Sequence, residues 1–313
     1  MKSSNIGGQA VMEGIMMRSG DQYSIGVRKP DGEIEVKVEP YRSWAKDSSI
    51  WKLPVFRGVA SFFESLVVGI RCLMYSASFI EDEEEDAKKP GKEKTEEQKE
   101  KEEKWLMYGT MTFSVIFSIA LFIMLPYFLA GFLRNVTTSE GVIAVAEACV
   151  RMILFLGYLV LISRMKDIQR VFMYHGAEHK CINCIEHGLS LTVENVRKSS
   201  KEHKRCGTSF MLFVMIVGIV LLFFVRVESP LMRVIVRIAL LPVIAGISYE
   251  LIKWAGSSEN PVVCILSKPG LWLQGLTTKE PDDEMIEVGI AAVEAVFDWK
   301  AYLRENFGYK EEE

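Results

Sequence analysis

Residues 105–133 read WLMYGTMTFSVIFSIALFIMLPYFLAGFL and contain no charged side chain. A helix needs about 20 apolar residues to cross the hydrocarbon core of a bilayer, and this segment exceeds that length. The whole chain has 313 residues, of which 49% are hydrophobic, and this share is high for a protein that also carries charge-dense segments. The sequence therefore predicts an integral membrane protein built mainly from α-helices.

Three further apolar segments follow along the chain. They are residues 141–162, 208–225 and 231–254. The first contains Glu147 and Arg151, which lie four residues apart on one helical face and can pair inside a bundle. We therefore predict a polytopic membrane helical bundle of about four spans over residues 105–254.

Residues 53–80 are apolar but carry Arg57, Glu64 and Arg71 at intervals of two helical turns. These charges form one polar stripe, which favours an amphipathic or bundle-lining helix over a lipid-exposed span. Crossing of the membrane is the alternative, because paired charges are tolerated inside a bilayer. Residues 81–104 consist mainly of charged side chains and predict a solvated linker or a frayed charged helix.

The two ends of the chain are predicted to lie outside the bundle. Residues 1–52 contain a β-hairpin signal, because two alternating stretches, 23–27 and 34–38, flank the turn sequence Pro-Asp-Gly. The N-terminus lacks the apolar region and the cleavage site of a signal peptide. Residues 255–313 form a tail in which 283–297 shows an acidic first turn and an apolar face, as in a capped amphipathic helix.

Basic residues near the spans predict their orientation, because such residues concentrate in cytoplasmic loops. The connection 163–207 carries nine lysines and arginines, whereas the loops 134–140 and 226–230 carry one each. We therefore predict a multi-pass protein of the cytoplasmic membrane, with both termini and this connection in the cytoplasm. No basic patch with interleaved aromatic residues occurs, so the expected partner is the lipid bilayer and not a nucleic acid.

All four histidines of the chain lie in that connection, and clustering of His, Cys and Glu is typical of a metal site. His175, Glu178 and His179 form the pattern H-x-x-E-H, and on a helix these positions share one face. The two imidazoles can then hold a divalent metal, with zinc the first choice, while Glu178 acts as general base. His203 and Glu250 are the candidate third ligands.

A second ligand set competes with the first. Cys181 and Cys184, spaced C-x-x-C, form a Cys₃His set with His203 and Cys206, at a spacing close to that of zinc ribbons. Such a site is closed and would only clamp the connection together. A third interpretation needs no metal, since free cysteines are often small buried hydrophobic residues.

Several stretches of the chain, taken together, resemble one known family. They read GGQAVMEGIMMRSG, YHGAEHK, HKRCGTSF, GISYELIKWAG and PGLWLQGLTTKEPDDEMIEVGIAAV. They are similar to the YqhQ family of bacterial multi-pass membrane proteins, which has plastid relatives and is sometimes labelled a predicted metal-dependent enzyme. The resemblance implies a cytoplasmic-membrane protein and no particular substrate. Its motifs contain His175, Glu178, His179, His203, Cys206, Tyr249 and Glu250.

Two functions of different classes remain open. The first is a metal-dependent hydrolase of a membrane-associated substrate, with His175 and His179 as ligands and Glu178 as the base. The second is a non-catalytic assembly factor or accessory subunit of a membrane-protein or envelope complex, with at most a structural metal. In the second case the hairpin, the helix at 53–80 and the C-terminal helix would be docking surfaces.

Overall fold

The computed structural model describes residues 2–43, 49–86, 96–225, 227, 229–257 and 260–310. The strands are β1 (Gly7–Val11), β2 (Gly14–Ser19), β3 (Gln22–Arg28) and β4 (Ile34–Pro40). The first helices are α1 (Phe56–Asp86), α2 (Glu96–Ile119), α3 (Leu125–Gly131) and α4 (Glu140–Ile162). The later helices are α5 (Lys166–Glu186), α6 (Val193–Lys198), α7 (Gly207–Phe224), α8 (Pro230–Ser257), α9 (Pro261–Thr277), α10 (Asp283–Glu294) and α11 (Trp299–Phe307). The predicted fold class, mainly α, is confirmed.

The strands form one antiparallel sheet in the order β1-β2-β3-β4. The predicted hairpin corresponds to β3 and β4, which pair in the register Arg28↔Ile34. Gly32 in the turn has a φ of 89°, a conformation that favours glycine. The sequence pattern did not indicate β1 and β2. The first four residues of β2 are all buried, so this strand lacks the alternation of a strand with one exposed face.

Helices cover both faces of the sheet. Ile15 and Met17 of β2 lie in one hydrophobic cluster with Ile182 of α5 and with residues of α10. Met16 points to the opposite face, where it clusters with Cys72 of α1. Because successive side chains of a strand alternate between faces, β2 contributes to both clusters. The result is three layers, with α1 on one face of the sheet and α5 and α10 on the other. We refer to β1–β4, α5 and α10 as the sheet domain.

Among the described residues, five helical segments are long and apolar enough to cross a membrane, as expected of a multi-pass membrane protein. They are Phe56–Phe79, Tyr108–Asn135, Glu140–Ile162, Gly207–Phe224 and Val234–Gly256. The last four match the four predicted spans. The first belongs to α1, for which crossing was the alternative interpretation.

The contacts of α1 hold the helix against the sheet from Glu64 onward. Glu64 accepts a hydrogen bond from Tyr41, Gly69 packs closely against Gln9, and Cys72 is buried on this face of the sheet. Only residues 56–63 precede these contacts, and they rise about 12 Å along a helix, far less than the roughly 30 Å of a hydrocarbon core. The contacts therefore favour the predicted amphipathic helix over a fifth crossing.

The other four segments are consistent with a sheet domain on a single side. Two of them lie between β4 and α5 and two between α5 and α10, and these three parts contact one another. We call the side that holds the sheet domain the near side and the opposite one the far side. Both chain ends meet on the near side, where the Tyr302 hydroxyl donates a hydrogen bond to the Lys2 carbonyl at 2.8 Å.

The C-terminal amphipathic helix and the charged linker are the two remaining predicted segments. The amphipathic helix near the C-terminus is α10, and the Asp282 side chain caps it by accepting the Met285 N–H at 2.8 Å. The predicted charged linker, residues 81–104, lies partly outside the described residues. Residues 81–86 form the end of α1, and residues 96–104 form the start of α2.

Candidate metal centre

Three side chains that could ligate a metal converge where α5 meets the start of α7, and we refer to them as the metal-ligating group. His175 and His179 lie one turn apart on α5, as predicted, and Cys206 is the N-cap residue of α7. One donor atom from each of the three lies within 4.8 Å of the other two. The Cys206 Sγ is 3.2 Å from the His175 Nε2. This is the one such group of three among the described residues.

Backbone carbonyls hold both imidazoles by their other nitrogen. The His175 Nδ1 lies 2.9 Å from the Thr277 oxygen, and the His179 Nδ1 lies 2.6 Å from the Lys201 oxygen. A carbonyl oxygen can only accept a hydrogen bond, so each Nδ1 carries the proton and each Nε2 keeps a free lone pair. Histidine ligands of metals are usually oriented in this way. The donor set therefore fits a divalent metal such as zinc.

Glu178 lies beside this group of three. Its Oε2 is 3.9 Å from the His175 Nε2 and 3.8 Å from the His179 Nε2. Burial raises the pKa of the Glu178 carboxyl, while the nearby His175 and His203 act in the opposite direction. The carboxylate is thus adjacent to both imidazoles without belonging to the group of three donor atoms.

Two glycines allow the backbone to approach this site closely. A Cβ at Gly8 of β1 would lie 2.6 Å from the Glu178 Cγ, so β1 can pass over Glu178 only with glycine there. A Cβ at Gly176 of α5 would lie 2.0 Å from the Lys279 oxygen. Gly176 therefore lets the segment after α9 dock on α5 and bring the Thr277 carbonyl to His175. The sequence alone did not indicate that either glycine packs against this site.

His203, one predicted third ligand, interacts with a different carboxylate. Its Nε2 lies 3.6 Å from the Glu186 Oε2, and neither of these buried atoms has a hydrogen-bond partner among the described residues. The other oxygen of Glu186 accepts hydrogen bonds from Ser4 and Arg205. The His203 ring centroid is 5.7 Å from that of His179, so His203 borders the metal-ligating group from outside.

Glu250, the other predicted third ligand, is not brought to this group. Both of its carboxylate oxygens accept hydrogen bonds from Arg57, so it links α8 to the start of α1. An arginine-paired carboxylate of this kind serves as a helix-to-helix contact.

The alternative Cys₃His set is not assembled among the described residues. Cys181 and Cys184 lie in the hydrophobic cluster between α5, the sheet and α10. Burial raises the pKa of the Cys184 thiol to about 11 and also raises that of Cys181. Both side chains are packed among apolar residues, as the third interpretation expects.

Comparison with known proteins agrees with the resemblance found in the sequence. A family model described as a protein of unknown function (DUF1385) matches residues 53–299. The chain is 38% identical over 302 residues to the uncharacterized protein YqhQ of Bacillus subtilis (strain 168), covering 96% of this chain and 94% of that protein. No solved structure matches the chain. The chain therefore belongs to the YqhQ (DUF1385) family.

Proposed function

We propose that this protein is a membrane-embedded, metal-dependent hydrolase whose site lies on the cytoplasmic face of the cytoplasmic membrane. His175, His179 and Cys206 hold the metal, and Glu178 is the general base. The observation that carries the proposal is the convergence of these three donor atoms within 4.8 Å of one another, beside a buried carboxylate 3.8 and 3.9 Å from the two imidazoles.

The donor set supports zinc. Two imidazole nitrogens and one thiolate sulfur suit a borderline-soft cation, and three protein ligands leave a fourth tetrahedral position for water or substrate. Bound there, zinc would polarise a carbonyl or phosphoryl oxygen and promote the ionisation of water. Cys206 begins α7, and the N-terminus of a helix favours a negatively charged ligand.

Glu178 is placed to accept a proton from water. It precedes His179 on α5 and lies on the side of the site that β1 covers at Gly8. Access is limited, because the His175 side chain is 17% exposed whereas that of His179 is 1% exposed. A substrate would therefore approach at the His175 edge, next to the near-side end of α7, which suits a membrane-associated peptide or lipid-linked group.

The cytoplasmic placement follows from loop charge. The connection 163–207 contains the three ligands and carries nine lysines and arginines, and such loops stay on the cytoplasmic side. The near side would then be the cytoplasm, with both termini there.

The burial of the same group supports a second candidate. A non-catalytic assembly factor or accessory subunit would need the metal only to fasten α5 to α7, and the nearly complete burial of His179 and Cys206 suits that role. The partner would be a membrane-protein complex docking on the near side. In this case Glu178 would be dispensable.

The substitution Glu178→Gln separates the two candidates. We expect the wild-type protein to hydrolyse ester or amide substrates. The purified variant should retain its metal but hydrolyse these substrates about 100-fold more slowly, since this is a typical contribution of a general base. The matched control is Glu194→Gln, which alters an exposed glutamate on α6 and should keep full activity. Wild-type activity in Glu178→Gln, or no hydrolysis by the wild-type protein across a broad panel, would contradict the hydrolase and favour the assembly factor.

A further inference from the structure

A second polar cluster lies inside the spans, away from the metal-ligating group. Glu147 and Arg151 of α4 pair at 2.7 Å, as the sequence predicted, and Arg237 of α8 also contacts the Glu147 carboxylate at 2.7 Å. All three side chains are about 90% buried. Ionised groups are costly within a bilayer, and they usually mark a functional site there.

This cluster lies well below the far-side end of the bundle. Glu147 and Arg151 follow the start of α4 at Glu140 by about 10 and 16 Å, from the rise of a helix. The hydrocarbon core is about 30 Å thick, so Glu147 lies in its far-side half and Arg151 near its middle.

A cavity of about 870 Å³ adjoins the cluster between α3, α4, α7 and α8. It extends from the level of Arg134 and Glu140, near the far-side surface, down to Arg151. Val145 and Cys149 of α4 also line it and are exposed on the outside of the bundle. The cavity is therefore lined by the charge cluster on one side and by lipid-facing residues on the other.

The charges of the cavity do not balance. Its described lining contains three arginines and two glutamates. Arg134 and Glu140 form a bidentate pair near the surface, so the deeper part holds Arg151 and Arg237 against Glu147 alone. Among the described residues, one positive charge at that depth lacks a counter-ion, and a desolvated charge without a partner is strongly unfavourable.

The fold maintains this excess charge. Residues Ala120–Met124, between α2 and α3, form a π-helical turn, and the Phe122 carbonyl accepts a hydrogen bond from the Arg151 Nε at 3.2 Å. Arg237 also lies over the Tyr127 ring, 5.6 Å from its centroid. Both arginines are thus positioned by neutral groups and not only by Glu147, and π-turns often accompany functional sites.

We propose that this far-side cavity binds an amphiphile with an anionic phosphate headgroup, namely a phospholipid. The phosphate neutralises the excess charge of Arg151 and Arg237, for which arginine is well suited. The acyl chains leave the cavity past Val145 and Cys149 into the bilayer. The site is separate from the metal-ligating group and independent of the hydrolase proposal.

The test compares lipids on the full chain in detergent. Phosphatidylglycerol should raise the melting temperature of the wild-type protein and should bind about tenfold more tightly than phosphatidylcholine, as the added charge pairing implies. Arg151→Gln leaves the balanced Glu147–Arg237 pair, so it should fold and lose this preference. The control, Arg164→Gln, removes an exposed charge on the near side and should keep it. Equal binding of both lipids by the wild-type protein, or an unchanged preference in Arg151→Gln, would overturn the proposal.

Two further arms identify the source of the phosphate. Glu147→Gln adds to the excess positive charge, so it should lower the melting temperature without lipid and increase the stabilisation by phosphatidylglycerol. Inorganic phosphate alone should stabilise the wild-type protein little, because it brings no acyl chain into the cavity. If inorganic phosphate stabilises as much as phosphatidylglycerol does, the site binds a small anion from the far side and the phospholipid is excluded.

Discussion

The metal-ligating group on the near side and the charge cluster within the spans are both buried and polar, but they are satisfied in opposite ways. In the first, each histidine is held by a backbone carbonyl through Nδ1, and both Nε2 atoms lie near the Cys206 Sγ. In the second, Glu147 contacts both arginines directly. The first group offers lone pairs and the second offers excess positive charge.

The difference shows how a ligand can be inferred from what a buried site leaves unsatisfied. Lone pairs of two nitrogens and a sulfur suit a cation, and a guanidinium without a counter-ion among the described residues suits an anion. Each site is also positioned by uncharged groups. Backbone carbonyls hold the two histidines, and a carbonyl of the π-turn and an aromatic ring hold the two arginines. Substitutions that change these supports or charges should therefore have different effects at the two sites.

The largest effect on stability is expected at Glu186, which anchors the near-side unit. This carboxylate is fully buried and accepts hydrogen bonds from Ser4 and Arg205. Glu186→Ala leaves Arg205 and His203 without their partner, so it should lower the free energy of unfolding by about 3–5 kcal/mol. Chemical denaturation in detergent measures the loss, and Glu194→Ala on the exposed face of α6 serves as the control. A change below about 1 kcal/mol would refute this anchoring role.

The same carboxylate predicts an acid response. Burial alone would raise the pKa of Glu186, but His203, Ser4 and Arg205 outweigh it and hold the pKa at about 2. A lowered pKa adds stability above the ordinary value and loses it as the pH falls toward the folded-state value. Stability should therefore fall between about pH 4.5 and pH 2. Glu186→Gln should flatten this fall, and an equally steep fall in that variant would assign it to other groups.

The next effect compares substitutions at two of the three members of the charge cluster. Glu147→Gln leaves two arginines unpaired within the spans and should cost about 3 kcal/mol, whereas Arg151→Gln leaves a neutral pair and should cost about 1 kcal/mol or less. Thermal unfolding followed by size-exclusion chromatography ranks the two variants. Equal losses, or a greater loss for Arg151→Gln, would mean that the cluster has no excess positive charge.

A smaller effect is expected from the support of His175. In Gly176→Ala the new Cβ would meet the Lys279 oxygen, 2.0 Å from its ideal position, and would push the Thr277 carbonyl away from His175. Zinc affinity should fall about 10–100-fold, as is usual when such an outer partner is lost. Competition with a chromogenic chelator measures it. Gly275→Ala is the control, because nothing lies within 4 Å of a Cβ at that position. Equal zinc affinities in the two variants would show that the Thr277 carbonyl does not support His175 as a ligand.

The topology of α1 can be checked with no loss of stability. Ser78 is exposed near the end of the part of α1 that contacts the sheet, and Glu35 is exposed on β4, before α1, so Ser78→Cys and Glu35→Cys should be labelled from the same side. A membrane-impermeant maleimide applied to intact cells and to inverted vesicles distinguishes the sides, with the wild-type protein as background. Labelling of the two positions from opposite sides would show that α1 crosses the membrane.

Periodicity predicted much of the fold but only part of the site. The four spans, the β3–β4 hairpin and α10 follow from local patterns of apolar, turn and capping residues. The placement of His175 and His179 on one turn follows from helical spacing. Strand β2 was missed because burial on both faces removes the alternation that identifies a strand at the surface.

The third donor could not be selected from sequence spacing. Cys206 entered through the alternative Cys₃His set and the family motif, and its approach to His175 depends on how α5 packs against the start of α7. Glu250 was a reasonable candidate by residue type, but its carboxylate is paired with Arg57 across α1 and α8. Such pairings arise from tertiary packing, which a pattern along one helix does not contain.

Zinc stoichiometry of the purified chain and its cysteine and histidine variants tests the central claim most directly. The proposal predicts about one zinc per wild-type chain, a similar content in Cys184→Ser, and loss of zinc in His175→Ala and in Cys206→Ser. Size-exclusion profiles of the same preparations would verify that the variants are folded. Zinc that persists in folded His175→Ala and Cys206→Ser, or that disappears in Cys184→Ser, would contradict the assignment of these ligands.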